Sequence, residues 1–257
     1  MNLNYVLEGE GRAVVFIHGL SDNLNYWQIL TSNFKNDYKC IRFDLRGHGL
    51  SELGDEKITV DLFSGDLLNL LNELGIDKVD IVGFSLGGCI AMDFAVKYPS
   101  KVSSLVIMSS YASVSLQTKN VLNQALISVE EGFEKFYDFM VPNVLCPDVI
   151  EKNKEELEYL KGISSEAANC DGIKKAILAC LEFDAVNDLK KIDVSTVILA
   201  GKYDKITTLN QQKELKSNID NSELIILDNL KHNLLVGENI RKIIELINGF
   251  LNKRKED

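Results

Sequence analysis

The stretch Gly83-Phe84-Ser85-Leu86-Gly87-Gly88 follows a short β-branched segment, residues 79–82. We predict a buried strand that ends here and a helix that begins here, with Ser85 on the sharp turn between them. Gly83 and Gly87 stand two residues on either side of Ser85, which is the G-x-S-x-G spacing of a nucleophile elbow. A turn this tight brings the two flanking positions together, where a Cβ would clash. Ser85 is therefore the candidate nucleophile.

Two backbone amides are predicted to act beside this serine. The amide of Leu86 begins the helix, where the helix dipole and the free N–H groups face a developing negative charge. A second buried strand, residues 13–17, ends at His18-Gly19-Leu20, and the amide of Leu20 is the candidate second donor. We predict that Leu20 and Leu86 form an oxyanion hole through their backbone N–H groups.

Composition disfavours several classes of protein. The 257 residues suffice for one large α/β domain with an insertion, and 46% of them are hydrophobic, which is ample for a core. We expect no membrane span and no signal peptide. The net charge of −10 disfavours nucleic acid, whose phosphates need a basic face. The five cysteines are scattered, which predicts reduced thiols in a cytoplasmic protein. With only three histidines we expect no metal site, and we expect no cofactor. The oligomeric state is left open.

Strand and helix patterns alternate through residues 1–112 and 189–257. The alternation predicts an α/β core domain with a doubly wound, mostly parallel sheet and helices on both faces. Residues 113–188 carry helical segments without a β-rich run, so we predict a helical cap inserted in the core. Two local details follow: Asp61 is expected to cap a core helix, and Pro142 and Pro147 to break one helix of the cap from the next.

Three polar residues follow three predicted strands, in the order Ser85, Asp204 and His232. The carboxyl ends of parallel strands meet at one edge of a sheet, where such folds place their sites. A serine hydroxyl is a poor nucleophile at neutral pH, so a histidine must accept its proton. An aspartate then holds the histidine in the correct tautomer and stabilises the imidazolium. We predict that these three residues form a catalytic triad.

Other polar residues near strand ends are interpreted as structural. His18 lies behind a glycine turn, and Asp44, Arg46 and His48 lie in a second glycine-containing loop. Hydrogen bonds that hold such loops explain these residue types without catalysis.

With these residues in hand, the chain resembles the α/β-hydrolase fold family, and within it the capped, serine esterase-like branch. The resemblance rests on His18-Gly19, residues 44–49, residues 83–88, residues 201–204 and Lys231-His232. It implies an acyl-enzyme formed on Ser85 and an oxyanion hole at the amides after His-Gly and after the serine. A serine at the elbow disfavours the dehalogenase and epoxide hydrolase members, which resemble this chain but use aspartate there.

The predicted substrate is a small neutral carboxylic ester. Phe84 lies beside the nucleophile, and an aromatic stripe lies on one helical face of the cap; the predicted pocket residues are Phe84, Phe133, Phe136, Tyr137 and Met140. A lactonase or carbon–carbon bond hydrolase with the same triad is the main alternative. Substrates of such enzymes are often anionic and need a cationic side chain, typically arginine, to bind them. The predicted cap has no arginine, which favours the neutral ester. A small-ligand signalling receptor with slow turnover is the second alternative.

Overall fold

A seven-stranded sheet runs through the centre of the computed structural model, which describes residues 1–253. Its strands are β1 (Tyr5–Glu8), β2 (Ala13–Ile17), β3 (Lys39–Phe43), β4 (Val79–Phe84), β5 (Val102–Met108), β6 (Thr196–Gly201) and β7 (Ser222–Leu227). The order across the sheet is β1-β3-β2-β4-β5-β6-β7. β1 is antiparallel to β3 and every other pair is parallel, so the predicted fold class is confirmed.

Helices cover both faces of this sheet, because the central strands are apolar on both sides. The helices of the core are α1 (Gln28–Phe34), α2 (Val60–Glu73), α3 (Leu86–Lys97), α9 (Leu209–Asn218) and α10 (Asn239–Asn252). Along β2, Val15 and Ile17 pack into one buried cluster with residues of α2 and α3. Val14 and Phe16 pack into a second cluster with residues of α1 and α10. This period of two, with both faces buried, is what holds the parallel strands in the middle of the fold.

Five consecutive helices separate β5 from β6. They are α4 (Leu116–Glu130), α5 (Phe133–Val144), α6 (Pro147–Lys152), α7 (Lys154–Ala167) and α8 (Cys170–Glu182). The chain leaves and returns at neighbouring points, since Ser113 and Asp184 form an antiparallel bridge and the amide of Ala185 donates to Ala112. These helices lie within residues 113–188; that this segment is a separate cap domain stays a prediction.

Two local predictions were wrong. The N-cap of α2 is Thr59, whose hydroxyl accepts from the amide of Leu62, and Asp61 lies in the first turn, where its charge still suits the dipole. Pro142 lies inside α5, which continues to Val144, whereas Pro147 begins α6 as the predicted break requires. Proline has no N–H, so Pro142 removes one hydrogen bond from α5, and the helix ends two residues later.

Three short 3-10 helices complete the described structure, at Leu24–Trp27, Pro99–Lys101 and Val186–Lys191. None of the helices within residues 1–253 is both long and apolar enough to cross a membrane.

Candidate active site

The elbow places Ser85 in a strained conformation between β4 and α3. Its φ is 53° and its ψ is −113°, a region that non-glycine residues enter at a cost of about 1–3 kcal/mol. Its amide donates to Met108 at 2.9 Å, and its carbonyl accepts from the Ser110 hydroxyl at 2.8 Å. A Cβ on Gly83 would overlap the carbonyl of Gly87. The crowding explains the glycine spacing. The hydrogen bonds to Met108 and Ser110 stabilise Ser85 in its strained backbone conformation.

Tertiary packing brings Ser85, His232 and Asp204 into one hydrogen-bonded chain. His232 Nε2 lies 3.0 Å from Ser85 Oγ, and His232 Nδ1 lies 2.8 Å from Asp204 Oδ2. An ionised carboxylate only accepts hydrogen bonds, so Nδ1 carries the proton and donates to Asp204. Nε2 is then the acceptor for the serine hydroxyl, which is the arrangement a general base needs.

The loop after β6 holds Asp204 in its ionised form. Asp204 Oδ1 accepts from the amides of Ile206 at 2.7 Å and Thr207 at 3.0 Å, and Oδ2 accepts from the Thr207 hydroxyl at 2.7 Å. Burial alone would raise the pKa of this carboxyl. The interaction with His232 and the bonds from Thr207 outweigh burial and lower the pKa of Asp204 below its usual value.

The turn after β2 brings Leu20 to the cavity that contains Ser85. His18 Nδ1 donates to the carbonyl of Gly19 at 2.8 Å, and Nε2 accepts from the amide of Leu45 at 3.0 Å. Burial, assisted by the nearby His48, lowers the pKa of His18 to about 3, so the ring is neutral and both nitrogens are engaged. Ser21 follows with a φ of 61°. His18 therefore holds the Gly19–Leu20 turn, in agreement with the structural role expected for it.

The loop after β3 is likewise engaged in structural bonds. Asp44 accepts from the amide of Leu24 at 2.7 Å and the amide of Leu50 at 2.9 Å. Arg46 forms a bidentate pair with Asp66, with both distances 2.8 Å. The structure thus gives Asp44 and Arg46 loop-holding partners, as the sequence predicted.

A cavity of about 710 Å³ is lined by strand-end residues of the sheet and by residues of α4, α5, α7 and α8, and it contains Ser85 and His232. Its volume is in the range of small-molecule sites. Leu20 and Leu86 line it, and so do all five residues predicted for the pocket, namely Phe84, Phe133, Phe136, Tyr137 and Met140. The wall is mostly apolar, so the cavity suits an uncharged organic substrate.

Sequence reasoning missed several residues of this cavity. Asp22 and Tyr26 come from the segment after β2, Tyr111 follows β5, Leu122 lies on α4, and Asn233 follows His232. Asp22 stands only two residues after Leu20, so the polar segment after His18-Gly19 was the available signal. The others depend on contacts between distant segments.

A model of the α/β hydrolase fold family matches residues 12–238, which is most of the chain and includes Ser85, Asp204 and His232. It is an α/β hydrolase.

This α/β hydrolase is similar to both esterases and lactonases. 3-Oxoadipate enol-lactonase 2 of Acinetobacter baylyi is 25% identical over 88% of this chain and 85% of its own length. An α/β hydrolase enzyme from a deep-sea metagenome has a TM-score of 0.91 and 25% identity, with 97% and 94% of the two chains covered. A thermophilic esterase of Thermogutta terrifontis has a TM-score of 0.87 and 25% identity, with 98% and 93% covered.

Within residues 1–253, no group of three or more His, Cys, Asp or Glu side chains is placed to hold a metal ion.

Proposed function

We propose that this hydrolase cleaves small neutral carboxylic esters through an acyl-enzyme on Ser85. The observation that carries the proposal is the hydrogen-bonded chain from Ser85 Oγ through His232 to Asp204, whose Ser85 and His232 line a mostly apolar cavity.

In acylation, Ser85 Oγ attacks the ester carbonyl while His232 Nε2 takes the hydroxyl proton. The negative charge that develops on the carbonyl oxygen is stabilised by the amides of Leu20 and Leu86. Asp204 stabilises the imidazolium that forms, and His232 then gives its proton to the departing alcohol. The products of this step are a free alcohol and an ester of Ser85.

In deacylation, water replaces the alcohol. His232 Nε2 takes a proton from the water, whose oxygen attacks the acyl carbon, and the same two amides stabilise the second tetrahedral intermediate. Ser85 leaves as the alcohol and regains its proton from His232. The cycle consumes one water and needs no other reactant.

The charges of the cavity support a preference for neutral over carboxylate-bearing esters. Among the described residues, its lining contains two carboxylates, Asp22 and Glu156, and no Lys or Arg. An anionic substrate would therefore lack a bidentate cationic partner and meet like charge. Burial of apolar acyl groups in the aromatic wall adds about 0.8 kcal/mol for each methylene.

A neutral lactone is the second candidate substrate, because one relative is named an enol-lactonase. A lactone is a cyclic ester, so the same steps open its ring and the product keeps both halves. Carboxylate-bearing lactones are disfavoured by the same cavity charges.

A panel of p-nitrophenyl esters of increasing acyl length, assayed with and without a serine-reactive phosphonate, tests the proposal. We expect many turnovers per enzyme, a preference for short-to-medium chains, and complete inhibition with the phosphonate bound to Ser85. Only a few turnovers per hour would instead favour the receptor alternative. Turnover that survives phosphonate labelling of Ser85 would contradict the proposed nucleophile.

A further inference from the structure

Ser85 and Asp204 are connected a second time by hydrogen bonds that do not pass through His232. The two residues follow β4 and β6, and β5 lies between these strands in the sheet. On the side of the cavity, His232 bridges them. The second connection, which we call the rear path, consists of Ser110, Gln212 and Thr207. None of these three belongs to the described lining of the cavity.

The rear path begins at the elbow, where the carbonyl of Ser85 accepts from the Ser110 hydroxyl at 2.8 Å. Ser109, which precedes Ser110, has a φ of 45°, a left-handed conformation that is unfavourable for a residue other than glycine. Ser110 packs directly on the elbow, since a Cβ on Gly88 would lie 2.5 Å from Ser110 Cβ. A strained backbone persists only where its surroundings hold it in place. Ser110 is therefore fixed against the elbow.

Gln212, near the beginning of α9, is the centre of the rear path. Its side chain is buried, and Nε2 donates to the carbonyl of Ser110 at 2.6 Å and to the carbonyl of Thr207 at 3.2 Å. Both partners are acceptors, so the group between them must be a donor, and the two protons of a side-chain amide match the two carbonyls. A glutamate or an aliphatic side chain would leave both carbonyls without this donor. These contacts therefore explain why a buried position on α9 carries a glutamine.

The rear path ends at Asp204. The Thr207 hydroxyl donates to Asp204 Oδ2 at 2.7 Å, and the same oxygen lies 2.8 Å from His232 Nδ1. The Thr207 amide donates to Oδ1 at 3.0 Å. Ser110, Thr207 and Gln212 have no exposed surface, and buried hydrogen bonds of this kind are costly to leave unmade. A displacement of Thr207 would therefore displace the carboxylate that orients His232.

We propose that the rear path, centred on Gln212, positions the Asp204 loop relative to the elbow so that one imidazole can bond to both Ser85 and Asp204. Gln212 is thus a positioning residue. The inference rests on the proposed function and deepens it. His232 must meet Ser85 at 3.0 Å and Asp204 at 2.8 Å at the same time. A misplacement of about 1 Å in such a site can cost about 100-fold in rate.

Gln212→Met tests the proposal, because methionine has a similar length and no donor. Steady-state kinetics use the best ester of the panel, and titration with the serine-reactive phosphonate counts the active sites, so that unfolded protein does not enter kcat. We expect kcat per active site to fall by about ten-fold or more and KM to change by less than about two-fold, since Gln212 does not contact the substrate. The melting temperature should also fall, because two carbonyls lose a donor.

The Asp204→Asn background separates positioning from a general loss of structure. Asparagine favours the wrong tautomer of His232, so the alignment of residue 204 no longer supports the base. In this background Gln212→Met should lower the phosphonylation rate of Ser85 by less than about two-fold, against about ten-fold or more in the unsubstituted enzyme. Equal reductions in the two backgrounds would show that Gln212 does not act through Asp204 and would overturn the inference.

Thr207 provides a second test, which decides the matter should Gln212→Met not fold. Thr207→Val removes the hydroxyl at nearly constant shape and should lower kcat per active site by about ten-fold, whereas Thr207→Ser keeps the hydroxyl and should stay within about three-fold of the unsubstituted enzyme. Thr196→Val is the matched control. Thr196 is buried at the opposite end of β6, and its hydroxyl donates to the carbonyl of Val194 at 3.0 Å. This variant should change kcat per active site by less than about two-fold.

Unchanged kcat per active site in Gln212→Met or in Thr207→Val would contradict the role of the rear path, as would an equal loss in Thr196→Val. Failure of the proposed function is distinguishable, because it would appear as no ester turnover by the unsubstituted enzyme. The phosphonylation rates of Ser85 would still report on the rear path in that case.

Discussion

The rings of Tyr26 and Phe84 stack with their centroids 4.9 Å apart and their planes 15° apart. Phe84 precedes the candidate nucleophile, and its other neighbour is the ring of His232 at 5.2 Å. The Tyr26 hydroxyl donates to Asn233 Oδ1 at 3.0 Å, next to His232 in the chain. The stack therefore connects the elbow to the loop that carries the base.

This relationship predicts that Tyr26 is a positioning residue for His232. Tyr26→Phe keeps the stack but removes the hydrogen bond to Asn233, so we expect kcat to fall about 2–10-fold, the worth of one neutral hydrogen bond. Tyr26→Leu removes the stack as well and should lower kcat further. Steady-state kinetics with thermal unfolding separates the effect from loss of fold. Two variants with the kcat of the unsubstituted enzyme would show that the connection does not affect the base.

Ser85→Ala is expected to keep the fold and to lower kcat by roughly 10⁴–10⁶-fold, the range for removal of a triad serine. The buried backbone bonds of the elbow do not involve the hydroxyl, so the melting temperature should stay close to its original value. Activity is measured with the best ester of the panel. Retention of normal turnover would eliminate Ser85 as the nucleophile.

Asp204→Asn should lower kcat by up to about 10⁴-fold, because the amide favours the wrong tautomer of His232. Asp44→Asn is the matched control: its carboxylate accepts from loop amides, so the change should lower stability by about 1–3 kcal/mol, with a smaller effect on kcat. Kinetics and denaturant unfolding of both variants give the comparison. A larger kcat loss at Asp44 would transfer the role of the acid to that residue.

Asp22→Asn should stabilise the protein more at pH 8 than at pH 5. The pKa of Asp22 is raised from 3.8 to about 7, so between these values the folded protein keeps a proton that the unfolded chain has lost. The contribution of this group to the free energy of unfolding therefore falls as pH rises from about 4 to about 7, and is flat above that. Asparagine has no such charge. Equal changes in melting temperature at the two pH values would show that the carboxyl of Asp22 titrates normally.

Charge should decide between matched acyl groups. We expect p-nitrophenyl 6-methylheptanoate to be hydrolysed with a kcat/KM at least about ten-fold above that of mono-p-nitrophenyl adipate, which carries a carboxylate in place of the isopropyl end. The reason is the absence of Lys and Arg from the described cavity lining. The comparison is made at low ionic strength, where the effect is largest. Preference for the adipate ester would promote a lactonase or carbon–carbon hydrolase acting on anionic substrates.

The amino-acid sequence alone predicted the features that depend on local spacing. The glycines around Ser85 are needed because the elbow brings their Cα atoms against neighbouring backbone, and that requirement is visible over five residues. The alternation of apolar strands and amphipathic helices predicted the sheet, since both faces of β2 and β4 must be covered. The order of Ser85, Asp204 and His232 followed from strand ends that meet at one edge.

Only the tertiary structure decided which further side chains share the cavity with the five predicted ones, and which polar atoms are left without partners. The N-cap of α2 is a smaller example of what the sequence does not determine. Thr59 and Asp61 are both suitable N-cap residue types, and the backbone geometry selects Thr59. Asp22 and His48, from the loops after β2 and β3, line one small pocket, and the stack of Tyr26 on Phe84 joins a helix to the elbow. Such contacts depend on how segments far apart in the chain pack together, and sequence periodicity does not predict that packing.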